Sequence, residues 1–213
     1  LADINGDKKW EIVAGTDKGR IYIWDALTLE PVPGWEKPQE LGEGSVKVSL
    51  ADMDRDGKLE IIGSFISMKG GQYAGNGAVH IFKNDGTVFL SRLIELPATW
   101  SDASVVIADV DGDNRPELIC GTRDGAIHLW NSQGEYMEGY PKNINGKNPL
   151  IAGPALGDAD GNEIMDAVVA YAGSYGNKAF LIKFTGVCEK KALLWPRDTC
   201  NNTNNRCLAG SGK

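Results

Sequence analysis

The sequence predicts an all-β chain: four copies of one small antiparallel sheet, arranged as the blades of a β-propeller. Three observations carry this expectation. An acidic nine-residue loop recurs with its first aspartate at Asp3, Asp52, Asp109 and Asp158, and spacings near 50 residues mark a repeat array. Short apolar runs flank each loop in the same order. No stretch holds the 3.6-residue hydrophobic period of a helix.

The strands follow one another alike in every repeat. A first apolar run precedes the loop, at 46–51, 105–108 and 154–157. A second follows its ninth position, at 12–15, 61–63, 118–121 and 167–170. A turn then leads to a third, at 19–24, 77–82, 125–130 and, less regularly, 178–184. β-Branched and aromatic residues bounded by glycine and Asx turns are the sequence mark of strands. A sheet of three or four such strands cannot bury both faces alone, and radial stacking covers them. The repeats divide at about 1–44, 45–102, 103–150 and 151–186, which leaves 187–213 as a cysteine-bearing tail without the pattern.

The loops place side-chain oxygens at positions 1, 3, 5 and 9. These are Asp3, Asn5, Asp7 and Glu11, then Asp52, Asp54, Asp56 and Glu60. The third and fourth sets are Asp109, Asp111, Asp113 and Glu117, and Asp158, Asp160, Asn162 and Asp166. Ca²⁺ takes roughly six to eight hard oxygens, and the backbone carbonyl of position 7 (Lys9, Lys58, Arg115, Ile164) fills a further place. Up to four Ca²⁺ ions are therefore expected. The alternative, bare solvated turns, is weakened by the four aligned copies, because so many carboxylates in tight turns repel one another without a cation. The second and third loops, with four acidic ligands each, are expected to bind most tightly. The first, with Asn5, comes next, and the fourth, with Asn162 and Glu163, last. Position 6 favours a residue tolerant of left-handed backbone, which Gly57 and Asn114 suit better than Lys8 or Glu163. The expected role is structural: the ion ties the first strand of a sheet to the second.

The pattern apolar-Ala/Gly-Asp-x-Asp/Asn-Gly-Asp-x-x-x-Glu/Asp-apolar resembles the FG-GAP/VCBS repeat of integrin-α-like propellers and of many secreted microbial proteins. The resemblance covers about residues 1–186. It implies calcium in the loop of each blade and a ring of roughly seven or eight blades, larger than this chain supplies, although four blades could close a small ring. Leu1 and Ala2 align with Leu50 and Ala51, so the chain is expected to begin within a first strand of a longer polypeptide. The rest of that strand could also come from another chain.

The composition is that of a globular protein, 42% hydrophobic and 24% charged. The net charge of −7 is mostly ligand field, since about half of the acidic residues occupy the loops. No basic stripe could track phosphates, which argues against nucleic acid. No apolar run approaches the ~18 residues of a membrane helix, so this segment is expected not to insert into a membrane. Cys120 lies in an apolar run and reads as a buried thiol. Cys188, Cys200 and Cys207 crowd the tail. Cys200–Cys207 is the preferred disulfide, with Cys188 paired to either as the alternative, and spacing does not choose among the connectivities. Asn201 opens an Asn-Asn-Thr glycosylation sequon. Modest-affinity calcium loops and disulfides both belong outside the cytoplasm, at the cell surface or in secretions.

No Ser/His/Asp arrangement or phosphate-binding glycine loop is identifiable. His80 and His128 occupy one repeat position, matched by Tyr22, and read as a structural slot. Trp24, Phe82 and Trp130 recur at one strand end and are expected to pack between blades. Trp10, Trp35, Trp100 and Tyr140, with the polar loops 66–76 and 171–177, are the candidates for a recognition surface. The function expected is a calcium-stabilised extracellular binding or adhesion module for a protein or glycan, or for the remaining subunits of an assembly. The alternative is the propeller of a secreted polysaccharide lyase or glycosidase.

Overall fold

The computed structural model describes residues 1–65, 68–69, 72–73, 77–91, 93–96, 105–122, 124–144, 153–159, 161–162, 164–173, 176–187 and 193–195. Every element among them is a β-strand. The first sheet holds β1 (Glu11–Gly15), β2 (Arg20–Asp25) and β3 (Gln39–Glu40). The second is built from β4 (Val46–Ala51) and β5 (Glu60–Phe65). After the small ribbon of β6 (Met68–Lys69) and β7 (Gln72–Tyr73), it gains β8 (Gly77–Phe82) and β9 (Ile94–Leu96). β10 (Val106–Ala108), β11 (Glu117–Gly121), β12 (Ala126–Trp130) and β13 (Lys142–Asn143) form the third. The fourth contains β14 (Ala155–Gly157), β15 (Ile164–Gly173) and β16 (Gly176–Val187). β17 (Leu193–Trp195), from the tail, adds antiparallel to the free edge of β10.

All pairings are antiparallel, and the register repeats. Ala51 faces Glu60, Ala108 faces Glu117 and Gly157 faces Asp166, so each acidic loop closes a first-to-second strand hairpin at the same rung. In the first sheet the isolated bridge Ala2–Glu11 holds that rung. The third strand then returns at a fixed offset, with Ile12 opposite Trp24, Ile61 opposite Phe82 and Leu118 opposite Trp130.

The apolar interior lies between sheets. Because side chains alternate across a strand, β5 sends Ile61 and Phe65 to one side and Ile62 to the other. Ile61 and Phe65 join Ile21, Ile23 and Trp35 of the first sheet in one cluster. Ile62, with Val79 and Ile81, meets Ile107, Leu118 and Trp130 of the third sheet in a second. Ile119, Ile127 and Leu129 meet Met165, Ala167 and Val169 of the fourth in the last. Each sheet thus has a leading face toward the one before it and a trailing face toward the one after. Polar bonds follow the same seams: Leu59 N–H donates to the Ile4 carbonyl at 2.9 Å, and Ser49 Oγ to the Val105 carbonyl at 2.6 Å.

Three expectations change here. Trp35, read as a surface residue, is 2% exposed. It stands edge-on to Phe82 and donates Nε1–H to the Asn84 carbonyl of the next sheet at 2.9 Å. Gly34 beside it has φ 87°, and a Cβ there would collide with the Asp85 carbonyl. The stretch 66–76, read as a polar loop, contains the β6–β7 ribbon, and 171–177 prolongs the β15–β16 hairpin to the Gly173–Gly176 rung. Here the backbone ladder continues where side-chain alternation has stopped, and so composition concealed it. Tyr140 is half-buried against the third cluster, whereas Phe82 and Trp130 pack between sheets as expected. Trp100, Cys188, Cys200, Cys207 and Asn201 lie outside the described residues.

Candidate metal centre

Each acidic loop is one mould cast repeatedly. Its position-1 aspartate gathers backbone N–H groups: Asp3 accepts from Gly6 (2.7 Å) and Lys8 (2.8 Å), and Asp52 from Asp56 (3.1 Å) and Gly57 (3.0 Å). Asp109 accepts from Gly112 (2.8 Å) and Asn114 (2.9 Å), and Asp158 from Gly161 (2.7 Å) and Asn162 (3.0 Å). Position 3 accepts from the amide of position 5 through Asn5, Asp54 and Asp111. Position 5 accepts from that of position 7, where Asp7, Asp56, Asp113 and Asn162 fix Lys9, Lys58, Arg115 and Ile164 within 2.7–2.8 Å. Position 9 reaches back across the hairpin to the amide of position 2: Glu11 to Ile4 (2.8 Å), Glu60 to Met53 (2.7 Å), Glu117 to Val110 (2.8 Å) and Asp166 to Ala159 (2.9 Å).

This wiring aims the loop at the seam. Ile4, Met53 and Val110, held through their amides, are buried in the first, second and third inter-sheet clusters. The turn itself needs left-handed backbone twice. Position 6 has φ 67°, 85° and 67° at Lys8, Gly57 and Asn114. Position 4 has φ 80°, 64°, 80° and 77° at Gly6, Arg55, Gly112 and Gly161. The second requirement was visible in the sequence as a glycine in three of four copies and was missed.

Two loops bring three carboxylates together, with one oxygen each of Asp52, Asp54 and Glu60, and of Asp109, Asp111 and Glu117, within 4.8 Å of one another. Asp56 and Asp113 stand outside those trios, and Lys83 Nζ lies 3.9 Å from Asp54 Oδ2. In the first loop Asn5 replaces the middle acid, and Asp7 pairs with Lys9 at 3.9 Å. In the fourth, Asp160 lies outside the described residues.

The position-9 acids carry the electrostatic signature. Burial pushes Glu60 up to about 7 and Glu117 up to about 8; the amide bond opposes this and the loop aspartates add to it. Burial raises Glu11 in the same way. A carboxyl that is buried among like charges, yet hydrogen-bonded as an acceptor, is short of a positive counterpart. In the fourth loop the shortage is explicit, because Asp166 Oδ1 is buried with no hydrogen-bond partner. All-oxygen donors, several of them anionic, fit a hard divalent cation and not a soft one.

The candidates for other chemistry are accounted for by packing. His128 is buried, with Nε2 3.1 Å from Thr122 Oγ1 and Nδ1 2.7 Å from the Tyr136 hydroxyl, and it stacks on Trp130. His80 stacks on Phe82 at the equivalent place. Cys120 is a buried free thiol whose pKa burial pushes up to about 12. Trp10 remains exposed.

Comparison with known proteins agrees with the repeat geometry. No curated protein matches the chain. Among solved structures, BBS1N in complex with ARL6DN, soaked with lead, matches at a TM-score of 0.54 and 16% identity, over 93% of this chain and 55% of that one. The same complex soaked with mercury matches at 0.53 and 15%, over 92% and 55%. The chain therefore spans about half the length of these structures, and the likeness is one of β-propeller fold. The FG-GAP-like repeat matches residues 3–63, 70–120 and 109–169, most of the chain, and the protein belongs to that family.

Proposed function

We propose that this chain is a calcium-stabilised propeller module that presents a rigid surface to a protein partner, acting outside the cytoplasm as part of a larger ring. Asp52, Asp54, Asp56 and Glu60, and Asp109, Asp111, Asp113 and Glu117, would hold the two tightest ions. The first and fourth loops would hold weaker ones through Asp3, Asn5, Asp7 and Glu11, and through Asp158, Asp160, Asn162 and Asp166. Carbonyls of Lys9, Lys58, Arg115 and Ile164 would complete the sets. When bound, the cation supplies charge neutralisation, not reaction chemistry. The blades follow the divisions 1–44, 45–102, 103–150 and 151–186, with a disulfide-bonded, glycosylated tail at 187–213.

The observation that carries this reading is the repeated buried position-9 carboxylate. In the first three loops it is wired to the amide of a residue that fills the next seam, so that cation binding would stiffen the stack. The partner class rests on one support: BBS1N is a propeller crystallised with a protein, ARL6DN. Thermal unfolding with calcium and with chelator tests the metal: a melting temperature indifferent to calcium sinks it. Capture of a protein ligand from the natural surface or medium, set beside a glycan array, tests the partner class, and binding confined to glycans would reverse it.

A further inference from the structure

The rung opposite the position-9 acid is filled differently in the four sheets. Glu11 pairs with Asp25 and Asp166 with Lys183. In the middle sheets the ladder closes one rung earlier, at Ile61–Phe82 and Leu118–Trp130, so the next residues, Lys83 and Asn131, flank Glu60 and Glu117. Residues opposite one another in an antiparallel pair share a side of the sheet. An acid, a lysine, an asparagine and a lysine thus take the same place in turn beside the acidic loops.

Lys83 shows what a cation does there. A turn fixes its backbone, with its N–H donated to the Thr87 carbonyl at 2.7 Å and its carbonyl accepting from Gly86 at 2.9 Å. Its ammonium lies 5.8 Å from the centre of the Phe89 ring and 3.9 Å from Asp54 Oδ2. Asp54 belongs to the carboxylate trio of the second loop. Asn131, at the same place in the third sheet, is uncharged, and its Oδ1 accepts from the amides of Gln133 and Glu135 in its own turn. The loops themselves add to the contrast. Four carboxylates stand with Arg55 and Lys58 in the second, but with Arg115 alone in the third.

We propose that Lys83 is a tethered counter-ion that competes with calcium for the second loop, so that the third loop fills at lower calcium than the second. This rests on the calcium reading above and ranks two sites that ligand count leaves equal. Without metal, the ammonium offsets part of the repulsion among the carboxylates. A divalent ion held by the same oxygens would repel it toward Asp85 and Phe89, its other neighbours. Lys183 sets the same charge opposite Asp166 in the fourth sheet. Met53 enters the seam between the second and third sheets, and Val110 that between the third and fourth. Rising calcium would therefore stiffen the later seam before the earlier one. Two unit charges about 4 Å apart in a watery setting shift an equilibrium roughly fivefold, and salt screens such an exposed pair.

Amide NMR of the chain titrated with calcium reads the loops separately, because Gly57 donates to Asp52 and Gly112 to Asp109. At low salt the Gly112 signal should shift at several-fold less calcium than that of Gly57. Lys83→Met removes the charge and keeps an unbranched side chain beside Phe89. It should lower the Gly57 midpoint roughly fivefold and leave that of Gly112 in place. Lys83→Arg should keep the wild-type midpoint, and about 1 M salt should erase the effect of Lys83→Met. A Gly57 signal that shifts first in the wild type, or that ignores Lys83→Met, overturns the proposal. So does an equal effect of Lys83→Arg, or one that survives salt. In each of those cases both amides still respond to calcium, and the calcium reading stands. Amides that ignore calcium altogether would remove that reading and this inference with it.

Discussion

Glu117 Oε2 accepts the Val110 amide at 2.8 Å, and both residues are buried. The carboxylate that closes an acidic loop therefore also sets the apolar side chain that enters the seam with the fourth sheet. The proposed metal site and the sheet stacking would share one residue pair. Glu117→Gln keeps an oxygen acceptor for that amide and removes the charge. In chelator at pH 8 its melting temperature should equal or exceed that of the wild type, whereas the rise on adding calcium should shrink. An undiminished rise would take Glu117 out of the ligand set.

The pH dependence of the calcium-free protein has a definite sign. Glu60 and Glu117 sit at about 7 and about 8 when folded, above their ordinary range near 4.5. The folded state then holds more protons than the unfolded one between those limits, so stability falls as pH rises through that window. Urea titrations in chelator from pH 5 to pH 8 should show the decline, and calcium should abolish it.

Arg55 occupies the left-handed position 4 at φ 64°, where the other three loops have glycine. A side chain in that region costs about 1–2 kcal/mol. Arg55→Gly should accordingly stabilise the protein by about 1 kcal/mol in chemical denaturation, with calcium or without. A loss of stability would mean that Arg55 makes a compensating contact.

Ile62 is buried between the second and third sheets. Ile62→Ala should cost about 2–5 kcal/mol, while the same truncation at exposed Leu93 should cost little. Equal effects would contradict an interior lying between sheets.

Burial lowers the His128 pKa, against a smaller opposing pull from Asp124. A histidine with a depressed folded pKa contributes stability above its unfolded value, about 6.5, that is lost as pH falls below it. His128→Phe should flatten that acid limb, and an unchanged limb would assign it to other groups.

The fold was legible because the repeat prints its strand order four times. The apolar alternation of β4 and β8 even gave their limits, Val46–Ala51 and Gly77–Phe82. The hydrogen-bonded loops were legible too, since their oxygen-bearing side chains recur at one spacing in all four copies. What escaped were features without a residue-type signature. Trp35 looked like a surface aromatic, because a connection gives no period from which to read burial. The β6–β7 ribbon and the β15–β16 extension are glycine- and serine-rich, and only hydrogen-bond register reveals them. The left-handed backbone at position 4 stood in the sequence as Gly6, Gly112 and Gly161, although Arg55 breaks the pattern.

Since every apolar interior belongs half to one sheet and half to its neighbour, such a chain has natural units of gain and loss. Duplicating or deleting one whole period, from one acidic hairpin to the next, leaves every surviving half-interior with a counterpart of the right kind. Cutting inside a period strands two. Genes encoding such arrays should therefore lengthen and shorten in steps of one repeat, with each step altering the circumference and leaving the joint between neighbours unchanged.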